Sequence, residues 1–187
     1  DGVRFQNGEV FNADAVKHTF DYLMTRDGQA TSVGREIAGI ERVTVVDDLT
    51  VEIATAEPDP LLPGRLALVS IVAPQAWHDL GPDGYAETPV GTGPYRLETW
   101  GMANAKIVLR PWAGSFRAQQ DPGSFRGHEG MVPIELVPIL DIGARITALR
   151  SGNVDVILGL SPDDWSQLEN QKFGRVVDIQ SQIMSLA

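Results

Sequence analysis

Two pairs of neighbouring carboxylates are the first candidates for chemistry in this sequence, since paired acids can act in general acid–base catalysis. Asp47-Asp48 and Asp163-Asp164 each lie where the sequence predicts a turn or the first turn of a helix. Carboxylates at such positions commonly accept hydrogen bonds from nearby backbone amides, and catalytic pairs normally need burial. We therefore expect structural roles for both pairs. The alternative is an acid-dependent hydrolase that uses Asp47, Asp48 or Asp141.

Residue types that bind transition metals are few and scattered. His18, His78 and His128 are far apart, and the sequence contains no cysteine. Disulfides, thiolate catalysis and cysteine-based zinc sites are thereby excluded, and no histidine pair has helical ligand spacing. Neither a G-x-S-x-G nucleophile turn nor a GxxxxGK[ST] phosphate loop is present. We expect no metal, no cofactor and no catalytic residue, and this favours binding over catalysis.

The segment PVGTGPY, residues 89–95, carries two glycines and two prolines in seven residues. A dinucleotide-binding fingerprint would need a third glycine and a following helix, whereas the alternating pattern after Tyr95 predicts a strand. We interpret the segment as a tight turn that enters a strand.

Composition narrows the class of protein. The 187 residues are 43% hydrophobic with a net charge of −10, and no apolar run approaches about 18 residues. The negative charge disfavours nucleic-acid binding. The sequence opens on Asp1 without methionine, so we expect a mature product or a piece of a longer chain.

Periodicity in the first half predicts a helix followed by a hairpin. Asn12 is a candidate N-cap for a helix from about Ala13 to Met24, which Asp27-Gly28 should end. Residues 40–54 alternate as a β-hairpin that turns at Asp47-Asp48-Leu49.

The apolar run LALVSIVAP, residues 66–74, reads as a buried strand, and Pro74 should begin a short helix through Trp77. The segment GPDGYAET, residues 81–88, is polar and turn-rich, and the change in composition there marks a candidate domain boundary.

The second half predicts further strands around one well-marked helix. Asp141 should cap this helix, Gly152 should end it, and flanking strands would make a right-handed βαβ unit. Ser161 is the predicted N-cap of a later helix. The predicted strands are 95–100, 106–110, 134–138, 154–158, 175–179 and 183–186.

Taken in order, four segments resemble conserved blocks of one protein family. They are DGVRFQNGEVFNADAVKHTFDYL, ERVTVVDDLTVEI, PVGTGPYRLETW and DIGARITALRSGNVDV. The set resembles the solute-binding proteins of peptide and nickel ABC transporters, bacterial extracellular solute-binding protein family 5. Gln6 and Asn7 stand where the family has His and Asp. No arginine lies in residues 66–74, which counts against a nickel-chelate ligand.

The resemblance implies a mixed α and β (α/β) fold of the periplasmic-binding-protein type II, present in part. Residues 1–88 would be a small inserted α+β domain, and residues 89–187 would be part of the first ligand-binding lobe. The second lobe would be missing. Such a piece should expose apolar surface and associate with itself, while its longer parent should be monomeric.

The implied function is that of a non-enzymatic solute-binding component of an ABC importer. It would capture a small solute, first of all a peptide, in the periplasm or as an extracellular lipoprotein, and deliver it to a membrane permease. Sugar, opine and metal-chelate ligands stay open, as does a role as ligand-sensing partner of a receptor. The expected ligand contacts are Ser70, Ile71 and Trp112.

Overall fold

The computed structural model describes residues 2–101, 106–116 and 132–161, together with residues 164 and 168. It divides into two compact units, Asp1–Val137 and Pro138–Ala187. The helices are α1 (Ala13–Leu23), α2 (Arg26–Ala30), α3 (Ser32–Glu36), α4 (Leu62–Leu66), α5 (Pro74–Glu87) and α6 (Ile142–Arg150). The strands are β1 (Ile40–Asp47), β2 (Thr50–Thr55), β3 (Tyr95–Gly101), β4 (Lys106–Pro111) and β5 (Ile134–Leu136).

Helix α1 begins where the sequence predicts. The side-chain oxygen of Asn12 accepts a hydrogen bond of 3.1 Å from the backbone N–H of Ala15, which satisfies one of the free donors of the first turn. The helix buries Phe20 and Leu23 on one face. These side chains pack against Ile40 and Val43 of β1, so the helix and hairpin share one hydrophobic core.

The predicted β-hairpin is confirmed. Strands β1 and β2 pair antiparallel, with Val43 opposite Ile53 and Val45 opposite Val51. The Asp47 carboxylate accepts a hydrogen bond of 2.9 Å from the backbone N–H of Leu49 and so stabilises the turn.

The predicted strand at residues 66–74 is wrong. The first residue of this segment, Leu66, belongs to helix α4, and residues 69–73 have no strand partner. Side chains supply the acceptors instead, since Thr19 binds the N–H of Val72 and Tyr85 binds that of Ala73. Nor is the run buried throughout, because the side chain of Leu68 is 56% exposed.

Helix α5 begins at Pro74 as predicted but runs to Glu87 rather than ending near Trp77. Gly81 lies inside it with a φ of 68° and is followed by Pro82, so the chain kinks and then resumes a helix. A positive φ at glycine allows this kink at little steric cost. The turn-rich appearance of residues 81–88 reflected the kink, whereas Tyr85 beyond it is buried and anchors the second half of the helix.

Residues 89–95 form the predicted turn into a strand. Gln6 holds it, since its backbone N–H donates to the carbonyl of Gly91 and its side-chain amide donates to those of Gly93 and Tyr95. Strands β3, β4 and β5 then form an antiparallel sheet in that order. The predictions for residues 95–100, 106–110 and 134–138 are thereby confirmed as strands, with β5 shorter than expected.

In the second unit, the Asp141 carboxylate caps α6 by accepting from the N–H of Ala144 at 2.7 Å. Gly152 follows the helix with a φ of 71°, as a residue that ends a helix often does. The strand predicted at 154–158 is wrong, because residues 154–158 form no strand ladder. The N–H groups of Asn153 and Val154 both donate to the carbonyl of Ala148, which turns the chain back onto the helix. The predicted βαβ unit is therefore not formed by residues 134–158.

The N-cap predicted at Ser161 is confirmed by its hydrogen bonds with Asp164. Its hydroxyl accepts from the N–H of Asp164, whose carboxylate accepts in turn from the N–H and hydroxyl of Ser161. The predicted strands 175–179 and 183–186 lie outside the described residues.

Candidate functional site

A pocket of about 250 Å³ lies in the first compact unit. Its walls come from the second half of α1, the start of α3, the irregular segment 68–72 and the first turn of α5. The lining residues are Thr19, Tyr22, Leu23, Thr31, Val33, Leu68, Ser70, Val72 and Trp77.

A backbone crossing at two glycines positions one wall of the pocket. A Cβ added to Gly34 would lie 2.0 Å from the carbonyl oxygen of Gly28, and one added to Gly28 would lie 2.2 Å from that of Tyr22. Real Cβ atoms do not approach so closely, so both positions require glycine. The crossing places Thr31 and Val33 of the α3 region beside the end of α1.

Tyr85 lies outside the lining but packs on Trp77, which is part of it. Its buried hydroxyl accepts a hydrogen bond of 2.9 Å from the N–H of Ala73 and donates to the carbonyl of Val90. Burial raises the pKa of Tyr85 above its ordinary value, although the two backbone hydrogen bonds oppose the shift. The Tyr85 hydroxyl thus joins Ala73, at the start of α5, to Val90, just beyond its end.

The aromatic side of the pocket is a row of packed rings. Tyr22 and Trp77 meet edge to face with ring centroids 4.7 Å apart, and Trp77 packs on Tyr85 at 5.2 Å. Such contacts favour a fixed ring orientation. The aromatic wall is therefore held in place by the protein's own packing.

The hydrogen-bonding groups of the lining fall into two sets. The hydroxyls of Thr19 and Thr31 each both donate to and accept from backbone groups. Within the described parts of the chain, the hydroxyls of Tyr22 and Ser70 and the indole N–H of Trp77 make no such bond. None of the lining side chains carries a charge.

Of the sequence-predicted ligand contacts, Ser70 lies in the pocket lining, and Ile71 and Trp112 do not. Ile71 packs against the α1–hairpin core and against a second cluster around Phe5. Trp112 follows β4, where its N–H donates to the carbonyl of Pro94 and its indole covers Gly114. All three remain predictions as ligand contacts.

Sequence reasoning missed Thr19, Tyr22 and Trp77 as members of one site. Thr19 and Tyr22 are three residues apart on α1, which puts them on one face beside the core stripe. That spacing was the available signal. Nothing local, however, indicates that Trp77 packs on Tyr22, more than fifty residues away.

Three of the acidic candidates, Asp47, Asp141 and Asp164, have structural roles. The hydrogen bond from the backbone N–H of Leu49 holds the pKa of Asp47 below its ordinary value. A hydrogen bond from the side-chain hydroxyl of Ser161 likewise lowers the pKa of Asp164. Asp141 caps α6. Asp163 and His128 lie outside the described residues.

No cluster of three or more potential metal ligands occurs within residues 2–101, 106–116 and 132–161. In the same ranges, every helix is too short or too polar to cross a membrane.

Nearly the whole chain matches one protein family. Residues 1–186 match the model for bacterial extracellular solute-binding proteins, family 5 middle. The chain belongs to this family. The resemblance drawn from four sequence segments is thus confirmed.

Relatives and solved structures agree with the family. The glutathione-binding protein GsiB of Salmonella typhimurium is 32% identical over 153 residues, which are 81% of this chain and 28% of that protein. MoaA of A. tumefaciens R10, solved with mannopinic acid, is 27% identical with a TM-score of 0.72, over 91% of this chain and 33% of its own. NikZ of Campylobacter jejuni, solved with Ni(L-His), has a TM-score of 0.75 at 18% identity, over 92% and 33%.

The fold is therefore that of periplasmic binding proteins, with mixed α and β structure. The chain spans about a third of the length of these relatives.

Proposed function

We propose that the protein containing this chain is the solute-binding component of an ABC importer, which captures a small peptide outside the inner membrane and delivers it to a permease. The observation that carries the proposal is the family match over residues 1–186. The protein would be located in the periplasm, or would be anchored as a lipoprotein at the outer face of the membrane.

Peptide is the first candidate ligand class, because GsiB has a higher sequence identity to this chain than MoaA does. GsiB is named for glutathione, itself a tripeptide, and is 32% identical to this chain. An opine is the second candidate, since MoaA, solved with mannopinic acid, is 27% identical. NikZ supports the fold alone, because its identity is only 18%.

The proposed mechanism is hinge closure of two lobes around the solute. Residues 1–88 would be an inserted domain and residues 89–187 part of the first lobe, with Ser70, Ile71 and Trp112 as proposed contacts. The pocket of about 250 Å³ within residues 19–77 supports a ligand-binding role for the inserted domain. Structural roles of Asp47 and Asp141 support binding without catalysis.

A thermal-shift screen of the full-length protein tests the proposal. The panel contains di- to pentapeptides, opines, oligosaccharides and nickel chelates. A ligand at a hundredfold excess over its Kd stabilises the folded state by about 2.7 kcal/mol. Compounds of the correct ligand class should therefore raise Tm by several degrees. We expect the shift with peptides. A shift only with opines would replace peptide by the second candidate, and a folded protein that responds to none would contradict the transport function.

A further inference from the structure

We propose that the pocket between α1, α3 and segment 68–72 holds one uncharged, apolar side chain of the solute, of leucine or phenylalanine size. The inference rests on the proposed peptide function and names the chemistry of one subsite within it. Size, polarity and rigidity of the pocket carry the argument.

The size of the pocket suits a side chain rather than a whole solute. Its volume is about 250 Å³. Apolar cavities of about 150 Å³ already accept a benzene ring, whereas pockets for complete drug-sized ligands start at about 300 Å³. A leucine or phenylalanine side chain therefore fits, with the remaining peptide outside.

The chemistry of the walls selects against a charged occupant. None of the lining side chains carries a charge, and the hydroxyls of Thr19 and Thr31 are engaged with backbone groups. A buried ammonium or carboxylate would find no counter-ion in this lining, and desolvation without a partner is costly. An aliphatic or aromatic group carries no such desolvation penalty.

The solvent side of the pocket offers what a peptide backbone needs. Ser70 and Leu68 are exposed, which places them where the pocket opens. Among the described residues, the hydroxyls of Ser70 and Tyr22 have no hydrogen-bond partner. They are suited to bind the amide groups on either side of an inserted side chain, while Leu23, Val33 and Val72 contact its apolar atoms.

The pocket is also pre-formed. Trp77 packs on both Tyr22 and Tyr85, and the close backbone crossing at Gly28 and Gly34 holds the segment that carries Thr31 and Val33. A rigid pocket loses little conformational entropy when a ligand enters, so most of the burial contributes to affinity.

The test is isothermal titration calorimetry on the full-length protein with Ala-Leu-Ala, Ala-Phe-Ala, Ala-Lys-Ala and Ala-Ala-Ala. We expect the leucine and phenylalanine peptides to bind about tenfold or more tightly than the alanine and lysine peptides, from the added apolar burial. Leu68→Trp, at a side chain 56% exposed, should block the opening and abolish that preference. Leu49→Trp, at a side chain 63% exposed in the hairpin turn, is the matched control and should preserve it.

Several results would overturn the inference. Equal affinity for all four peptides would refute the proposed subsite, and so would an unchanged preference in Leu68→Trp. Either result would still be consistent with peptide binding by the protein. A higher Tm in Leu68→Trp with unchanged preference would identify the pocket as a packing vacancy. If no peptide binds and another solute class does, the subsite and the peptide function fail together. Should Leu68→Trp fail to fold, Ser70→Phe narrows the same opening, and a preference that survives it overturns the inference.

Discussion

Tyr85 shows at the scale of a single residue how one buried hydroxyl holds both ends of a helix. We expect Tyr85→Phe to lower the free energy of unfolding by about 1–3 kcal/mol, because the buried N–H of Ala73 loses its acceptor. Urea unfolding measures this. Tyr95→Phe is the control, since the Tyr95 hydroxyl donates to Val132 at an exposed position and its loss should cost less. Equal losses would show that burial of the hydrogen bond is irrelevant.

Tyr85 also predicts an alkaline dependence of stability. Because burial raises its pKa in the folded state, its contribution is complete below the unfolded value of about 10 and is lost as pH rises through the folded pKa. Unfolding midpoints between pH 8 and pH 11 should fall in the wild type and fall less in Tyr85→Phe. Parallel curves would contradict the assignment.

Asp47 predicts the opposite dependence at acid pH. Its pKa is lowered by the Leu49 hydrogen bond, so the contribution is present above the unfolded value of about 3.9 and is lost as pH falls through the folded pKa. Asp47→Asn keeps an acceptor but cannot titrate, so the loss of stability measured between pH 5 and pH 2 should be smaller in this variant than in the wild type. Asp48→Asn removes an equal charge at the next position and should leave the dependence in place.

Caps made by neighbouring residues could be predicted from the sequence, and caps made across the fold could not. Asn12 and Asp141 each bind an N–H three residues ahead, so the local pattern suffices. Helix α5 has Ala73 at its N-cap, and the Glu9 carboxylate supplies the missing acceptors for Gln75 and Ala76. Glu9 lies 66 residues before Gln75, and no local pattern contains that information.

At the scale of elements, the crossing of α2 and α3 is the most constrained feature. Gly34→Ala would force a Cβ against the backbone of Gly28, and we expect a loss of about 1–3 kcal/mol or more. Gly64→Ala is the control, because α4 leaves open space there and alanine has the higher helix propensity. Thermal unfolding of both variants measures the difference. Comparable stability of the two would disprove the close crossing.

The errors in predicted elements have a common physical cause. Residues 66–74 and 154–158 have the composition of strands, yet side chains or a helix end satisfy their backbone groups instead of a neighbouring strand. Strand formation depends on a partner, which composition does not reveal. Helix α1 and the hairpin were predictable because local periodicity and turn chemistry decide both. The pocket could not be predicted, because its lining residues are distant in sequence and come together only when the unit folds.

For the whole molecule, exposed apolar side chains predict association of residues 1–187 expressed by themselves. Leu140, Val156 and Leu158 are 93%, 74% and 73% exposed. Light scattering should show oligomers, and Leu140→Asp with Leu158→Asp should reduce their mass. Val46→Asp with Leu49→Asp, on the hairpin, is the control and should reduce it less. A monomer at all concentrations would contradict the prediction.

The contacts of Gln6 have a consequence for the order of folding. Its side chain binds carbonyls 87 and 89 residues further along the chain. At a synthesis rate of about 5–20 residues per second, these partners appear several seconds after Gln6 itself. Helix α1 and the hairpin can form within that interval. The residues that contact each other in these elements are nearer in sequence, so smaller loops have to be closed. The residues made earliest in this unit are therefore expected to dock last.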